Sequence, residues 1–107
     1  MDLRAQRAAE NEDLFRRVNE RVAELSEGLD ALTLVCECAD ADCAAKLGDV
    51  SAAAYRRVRA HGDRFFVASG HERSDVEVVV ERQERYVVVE KRGEAGEAAR
   101  EADPRSG

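Results

Sequence analysis

All three cysteines of this 107-residue chain lie within eight positions, in the segment "CECADADC" from Cys36 to Cys43. Side chains at positions i and i+2 of an extended strand project from the same face, so Cys36 and Cys38 would present both sulfurs together. Glu37 would then point to the opposite face. Cys43 follows after a short turn that can bring it back beside the first two. Three thiolates and one imidazole nitrogen form a tetrahedral set that zinc favours, so the spacing predicts a metal site that needs one more ligand.

Two histidines, His61 and His71, can supply that ligand as a nitrogen. His61 falls at the predicted end of a helix, where a histidine commonly faces the carboxyl end of the helix. His71 lies in the turn "SGHE" between two strands, and such a turn can aim an imidazole at the cysteine segment. We therefore predict one structural zinc ion held by four residues: Cys36, Cys38, Cys43 and His71. The alternatives for the fourth ligand are Asp40, Asp42, His61 and water.

Two other interpretations of the cysteines stay open. In a thiol redox switch, oxidation would expel the metal, and Cys36 and Cys43 are the pair that could form a disulfide. The third interpretation is a set of small buried residues without a chemical role, which is common for a lone cysteine. Three cysteines so close to Asp40 and Asp42, which are expected to be exposed, favour the metal site over the redox switch and over buried residues without a role. Three cysteines and one histidine would complete a tetrahedral shell, which predicts a structural rather than a catalytic centre.

Composition excludes several classes of function. The formal net charge is −6 and no apolar run reaches the roughly 18 residues of a membrane span, while the N-terminal segment is charged throughout. We expect a cytoplasmic protein, where thiols stay reduced. The basic segment "YRRVRAHGDR" raises nucleic-acid binding as a weaker alternative, although a solvated helix face explains it better. No nucleophile elbow, phosphate-binding glycine loop or open histidine pair is present, which predicts a protein that is not an enzyme.

The fold should begin with a long helix over residues 2–27, because this segment contains neither Gly nor Pro. Its apolar residues recur at spacings of 3 and 4 and would form one stripe: Leu14, Phe15, Val18, Val22, Leu25 and Leu29. We expect this stripe to dock on the protein's own sheet. The alternative is a homodimer formed through the same helix.

The rest of the chain predicts strands and one further short helix. The segments "ALTLVCEC", "AAKLGDV" and "RFFVA" have strand-like composition, and residues 76–82 and 85–91 would form a hairpin. Ser51 is a natural N-cap for a helix from Ala52 to about Ala60. The order indicates an α+β fold with a small, mostly antiparallel sheet stapled by zinc. We predict one domain over residues 1–92, whose first ten residues are free to fray, and a weak helix or disordered tail over 93–107.

The segments "NEDLFRRVNERVAEL", "VCECADADC", "YRRVRAHGDRFFVASGHE" and "ERYVVVEK" together resemble a family of short uncharacterised proteins from actinobacterial-type, GC-rich genomes. The resemblance covers roughly Asn11 to Pro104, and its most specific parts are the Cys-Glu-Cys segment and the Gly-His-Glu turn. It implies that His71 rather than His61 completes the site, because the family pattern has no usual histidine at the latter position. Ser69 departs from the proline that the family pattern places before Gly70. No established activity comes with the resemblance.

The chemistry and composition together indicate a small, non-enzymatic zinc protein that acts through a protein partner not identified by the sequence. A thiol and zinc redox sensor is the alternative. A nucleic-acid-binding module is the less favoured third interpretation.

Overall fold

The computed structural model describes residues 2–105. Met1, Ser106 and Gly107, which the predicted domain and tail include, lie outside the described residues. The elements in chain order are α1 (Leu3–Leu25), β1 (Ala31–Val35), β2 (Lys46–Ser51), α2 (Ala52–Arg59), β3 (Arg64–Val67), β4 (Glu77–Arg82), β5 (Val87–Lys91) and α3 (Gly93–Ala102). The predicted α+β fold with a long N-terminal helix and antiparallel strands is confirmed.

The strands are divided between two small antiparallel sheets. One sheet pairs β1 with β2, and the other has the order β3-β5-β4 with β5 in the centre. The predicted hairpin is confirmed as β4 and β5, where Val79 faces Val89 across the ladder. Just beyond β1, the backbone N–H of Glu37 donates to the carbonyl of Phe66 in β3 at 2.8 Å. This contact connects the two sheets where the cysteine segment begins.

The second helix forms as its cap residue predicts. The Ser51 hydroxyl accepts a hydrogen bond from the backbone N–H of Ala54 at 3.0 Å, and α2 begins at the next residue after Ser51. Tyr55 and Val58 face inward and are both buried. The helix therefore closes over the sheets with the face that the sequence predicts.

The buried apolar residues form two clusters. The first core lies between β1, β2, α2 and the second sheet and contains large side chains: Leu32, Leu34, Leu47, Val50, Ala54, Tyr55, Val58, Phe66, Tyr86 and Val88. Three of its rings pack in series, with Tyr55 stacked on Phe66 and Tyr86 edge-on to Phe66 at a centroid distance of 5.5 Å. The second core contains Cys36, Cys38, Phe65, Val67, Val87, Val89 and Ala99. Two of the predicted metal ligands, Cys36 and Cys38, thus lie in the second core, where most side chains are small.

The prediction that the apolar stripe of α1 docks on the sheet is wrong. Leu14 is 56% exposed and Leu25 is 72% exposed, whereas Arg16 and Asn19 on the opposite face are fully buried. Of the stripe, Val22 packs against the first core. The helix therefore turns a polar face inward and leaves most of its large apolar side chains in solvent.

Hydrogen bonds to distant parts of the chain explain this orientation. Arg16 donates to the carbonyl of Gly62 at 2.6 Å and to that of Ala99 at 2.8 Å, and its guanidinium lies 4.6 Å from the centre of the Phe65 ring. Asn19 exchanges two hydrogen bonds with the backbone of Val35, each 2.8 Å long. These hydrogen bonds offset part of the cost of burying the two polar side chains, and they fix the register of α1 on the sheets.

Two buried ion clusters continue the polar layer under α1. Lys91 pairs with Glu12 and with Glu77, and all three side chains are buried. Arg59, also fully buried, donates to Glu20 at 2.7 Å and to Asp103 at 2.5 Å. The partners of these two cations come from both ends of the chain, so the layer clamps α1 against the rest of the fold.

The last helix packs through small residues. α3 lies against α1 and β5, and Ala99 is buried in the second core. A Cβ at Gly96 would come within 2.8 Å of the Lys91 carbonyl, so only glycine permits this close approach. The absence of a large side chain thus lets α3 approach β5 closely, above the second core.

Candidate metal centre

Cys36 comes directly after β1, and Cys38 lies at the bend that follows. The N–H of Cys36 donates to the carbonyl of Ala45 at 3.1 Å, continuing the ladder toward β2. Both cysteines are nearly fully buried, at 2% and 4% exposure. The ligand atoms of Cys36 and Cys38 lie within 4.8 Å of each other, as their i and i+2 spacing predicts.

Glu37, between the two cysteines, points away from the sulfurs and under α1. It is fully buried, and its carboxylate accepts hydrogen bonds from Asn19 at 2.8 Å and from the N–H of Phe66 at 2.9 Å. Burial raises the pKa of Glu37 to about 7, against the opposing effect of those two donors. By bonding to both α1 and β3, Glu37 fixes the extended segment that carries the cysteines. The sequence did not predict this role, because a glutamate a few positions before Asp40 and Asp42 gives no sign of being buried.

A tight turn returns Cys43 to the first two cysteines. The Asp40 carboxylate accepts a hydrogen bond from the N–H of Asp42 at 2.9 Å, and the Asp40 carbonyl accepts one from the N–H of Cys43 at 3.1 Å. The first of these hydrogen bonds is an Asx-turn, in which an aspartate side chain replaces a backbone carbonyl, and it is common in turns. Asp40 and Asp42, considered as alternative fourth ligands, thus shape the turn and are not part of the ligand cluster.

A second turn places His71. The N–H of His71 donates to the carbonyl of Ala68 at 2.9 Å, and Gly70, at the third turn position, has φ of +90°. A positive φ there after a residue with negative φ defines a type II turn, which favours glycine at this position. His61, the other histidine, lies exposed just past the end of α2, outside the cluster.

The structure brings the four predicted ligands together. One ligand atom from each of Cys36, Cys38, Cys43 and His71 lies within 4.8 Å of all the others. The Nδ1 atom of His71 is 3.6 Å from the sulfur of Cys36 and 3.6 Å from that of Cys43. Zinc–sulfur and zinc–nitrogen bonds of about 2.3 and 2.1 Å at a tetrahedral angle would separate the sulfur and nitrogen atoms by about 3.6 Å. The cluster is therefore compatible with tetrahedral zinc.

Without a bound cation, burial and mutual repulsion disfavour the charged thiolate forms of the three cysteines. Burial, together with smaller effects of the neighbouring thiols of Cys38 and Cys43, raises the pKa of Cys36 to about 12. The N–H of Ala68 donates to the Cys36 sulfur at 3.2 Å, which favours the thiolate. Burial also raises the pKa of Cys38, against a backbone hydrogen bond from Asp40. Three adjacent sulfurs would repel one another as thiolates, and a bound divalent ion would remove that penalty.

The cluster is buried on one side and open on the other. Cys36 and Cys38 lie inside the second core, Cys43 is partly exposed, and His71 is exposed. On the open side, His71 lines a cleft of about 900 Å³ beneath the first turns of α1. Solvent therefore reaches the centre from the Cys43 and His71 side.

The four arginines of "YRRVRAHGDR" have different environments in the fold. Arg59 is fully buried in its ion cluster. Arg57 pairs with Glu81 at 2.6 Å and Arg64 with Glu90 at 3.0 Å, while the neighbouring Tyr55 is buried in the first core. The segment does not present its arginines and tyrosine as one exposed surface of the kind that stacks and neutralises nucleic acid.

Between residues 2 and 105, no helix has both the length and the apolar character needed to cross a membrane.

No family model, curated protein or solved structure shows significant similarity to this chain. The resemblance carried by the cysteine and histidine motifs therefore stays a prediction, and the functional argument depends on the geometry of the site.

Proposed function

We propose that this chain is a small cytoplasmic, non-enzymatic protein whose fold is held by one structural zinc ion and that acts by binding a protein partner. One observation carries the proposal: the ligand atoms of Cys36, Cys38, Cys43 and His71 converge within 4.8 Å. Three thiolates and one imidazole match the composition of structural zinc sites. Four protein ligands also leave no coordination position for a substrate, which supports a structural role.

The position of the cluster supports the same role. Its ligands come from three separate segments, which are the extended stretch after β1, the turn at Cys43 and the turn at His71. A bound ion would cross-link these segments beside the second core, where most side chains are small. In a domain of this size such a link contributes folding free energy directly, because the unfolded chain has no formed site.

The outward face of α1 supports the partner-binding part of the proposal. We call its exposed apolar residues the outer stripe: Leu3, Leu14, Val18 and Leu25. Large apolar side chains concentrated on one side of an exposed helix are typical of a surface that is covered in a complex. The inner face of α1 already has its own partners, so the outer stripe can bind without unfolding the helix.

Cobalt and zinc titrations test the proposal. Metal-free protein should bind one cobalt(II) ion and develop the intense visible absorption of a tetrahedral thiolate complex, which zinc then abolishes by displacement. Cys43→Ser should weaken binding and change the spectrum, whereas His61→Ala, which alters a histidine outside the cluster, should leave both unchanged. Weak absorption typical of octahedral oxygen coordination, or no binding, would overturn the zinc assignment.

A redox sensor is the second candidate, and the partial exposure of Cys43 favours it. Peroxide would take two electrons from the thiolates of Cys36 and Cys43, forming their disulfide and releasing zinc and two hydroxide ions. Zinc release by a small excess of peroxide, reversed by a dithiol reductant, would support this function. Thiols that resist oxidation in the folded protein would exclude it.

A further inference from the structure

We infer that the cleft beneath the first turns of α1 binds a small organic anion, whose carboxylate or phosphate group is held by Arg4, Arg7 and Arg73. We call this cleft, of about 900 Å³, the arginine cleft. The ligand would lie outside the metal coordination shell, although Cys38 and His71 form part of the wall. The inference therefore goes beyond the proposed function and does not depend on a protein partner.

Three arginines line the arginine cleft from two parts of the chain. Arg4 and Arg7 lie one turn apart on α1 and are exposed, while Arg73 comes from the loop between β3 and β4 and has a side chain that is 29% exposed. A guanidinium group offers five N–H donors in a planar fork, which matches the paired oxygens of a carboxylate or phosphate. The cleft thus presents donors for an anion in a chain whose formal net charge is −6.

Arg4 and Arg7 differ from most arginines of the chain in their pairing. The others mostly contact a carboxylate, as Arg57 contacts Glu81 at 2.6 Å. Within residues 2–105, no carboxylate lies within ion-pair distance of Arg4 or Arg7. Both guanidinium groups therefore keep their charge and their donors for a ligand.

The position of these two arginines is unfavourable for the helix itself. The amino-terminal end of a helix carries a partial positive charge, and like charges three residues apart on a helix repel each other. Asp2 caps α1 by accepting a hydrogen bond from the N–H of Ala5 at 2.8 Å, but the first turn contains no acidic residue. An anion bound between Arg4 and Arg7 would offset both penalties. Residues that break a local rule in this way are common at functional sites.

Two aspartates also line the cleft, and each already has a partner. The Asp40 carboxylate accepts a hydrogen bond from the N–H of Asp42, and Asp75 lies 3.5 Å from Arg73. The excess of positive charge comes from α1, which contributes no acidic residue to the wall. Of the metal centre, the cleft contacts one nearly buried cysteine and the exposed imidazole of His71, which is uncharged as a metal ligand.

The rest of the wall suits a small apolar group. Leu3, Ala8 and Ala39 line the cleft beside the arginines, and Ala8 is buried. Small-molecule sites of about 300–1,000 Å³ are typically mostly apolar, with a few polar groups that fix the orientation of the ligand. The occupant that fits is therefore an organic anion with an apolar portion rather than a bare inorganic ion.

Titration of hexyl phosphate into the isotope-labelled, metal-loaded full chain, followed by NMR, tests the inference. We expect saturable shifts of the amide signals of residues 3–8 and 70–73, with a dissociation constant of about 1 mM for a ligand of this size. Hexylamine, which has the same apolar chain and the opposite charge, should cause no such shifts, and inorganic phosphate should bind the same residues more weakly. Equal binding of hexylamine or inorganic phosphate, or no saturable shift with hexyl phosphate, would overturn the inference.

Two arginine variants form a matched pair for the same titration. Arg7→Ala should weaken hexyl phosphate binding at least about tenfold, because it removes a charge-assisted contact. It should not lower the melting temperature of the ligand-free protein, since it relieves repulsion with Arg4. Arg56→Ala is the control, because Arg56 is also exposed and lacks an ion pair among residues 2–105 but lies on α2, outside the cleft. Equal affinity of the two variants for hexyl phosphate would contradict the proposed site.

A short peptide of glutamates distinguishes a small ligand from an acidic segment of a protein, which offers the same carboxylate chemistry. We expect the peptide to bind more weakly than hexyl phosphate, because the formal net charge of −6 repels a polyanion. Tighter binding of the peptide would assign the cleft to a protein and overturn the small-ligand assignment.

Zinc content, measured on the same samples, separates this inference from the proposed function. One zinc ion per chain without hexyl phosphate binding would overturn the arginine cleft alone. Hexyl phosphate binding by a folded protein that takes up no zinc would overturn the zinc site alone.

Discussion

The two cores of this molecule differ in the size of the side chains that fill them. The first core is filled by large side chains, among them Leu34, Leu47 and the ring series through Phe66. The second core contains one aromatic ring, Phe65, surrounded by valines, one alanine and two of the cysteines. Burial of apolar area stabilises the first core by itself. The second core offers less apolar volume, and the ligand cluster lies where a metal cross-link would compensate for it.

The largest effect should come from removing two ligands. Replacing Cys36 and Cys38 together with serine should abolish zinc binding and lower the free energy of unfolding by about 5 kcal/mol or more, which is comparable to the whole stability of a small domain. Thermal unfolding followed by circular dichroism checks this. The original protein treated with a strong chelator should behave like the variant. A melting temperature unchanged in both experiments would show that the second core is stable without metal.

The first core should fail in a different way. Leu34→Ala removes a fully buried side chain and should cost about 2–5 kcal/mol in urea denaturation, while the folded variant keeps one zinc ion per chain. Leu25→Ala, at an exposed position, is the control and should change monomer stability by less than about 0.5 kcal/mol. Loss of zinc from folded Leu34→Ala would mean that the two cores do not depend on separate sources of stability.

Asp103, which follows α3 and pairs with Arg59 of α2, should make the free energy of unfolding depend on pH. Burial alone would raise the pKa of Asp103, but the N–H of Arg105 and the buried guanidinium of Arg59 outweigh burial and lower the pKa. The folded protein therefore holds this proton less tightly than the unfolded chain. The resulting stabilisation is present above the unfolded pKa of about 4 and is lost as the pH falls through it toward the folded pKa.

Asp103→Asn should remove that dependence. We expect a loss of about 1–3 kcal/mol at neutral pH, because the buried Arg59 loses one of its two carboxylate partners and keeps the other, Glu20. Between about pH 5 and pH 3 the variant should lose less stability than the original protein. The metal site is common to both proteins, so the difference between their pH profiles isolates Asp103. Parallel profiles would contradict the assigned role of the Asp103 and Arg59 pair.

The smallest effect should come from the turn that carries His71. Ser69 occupies the second position of the type II turn, where proline fits the required backbone conformation. Ser69→Pro should stabilise the protein by about 0.4–1 kcal/mol and raise the melting temperature by a few degrees. Gly70→Ala should do the opposite, because alanine is strained at φ of +90°. A lower melting temperature for Ser69→Pro would contradict the type II geometry assigned to this turn.

Local chemistry in the sequence predicted much of this fold. Ser51 caps α2, the valine-rich segments form the hairpin, and the i, i+2 spacing places Cys36 and Cys38 side by side. The turn residues before His71 predicted a loop that could aim the imidazole. These features depend on neighbours within a few positions, which a sequence displays directly.

The orientation of α1 could not be predicted in the same way. Periodicity assumes that the apolar face of a helix is the buried one. Here Arg16 and Asn19 are buried because their partners, such as the Ala99 carbonyl and Glu37, come from distant segments of the chain. The packing of α3 could not be predicted either, because it depends on Gly96, whose lack of a side chain permits close approach to the Lys91 carbonyl. Contacts of both kinds become visible only when the tertiary fold brings the partners together.

Metal content of the untagged protein, purified without chelator and measured by mass spectrometry, tests the central claim most directly, with His71→Ala and His61→Ala beside it. We predict about one zinc ion per chain in the original protein and in His61→Ala, and a reduced zinc content in His71→Ala, whose substitution removes the nitrogen that lies 3.6 Å from two sulfurs. A folded original protein that contains no metal and has three freely titrating thiols would contradict the account of the second core.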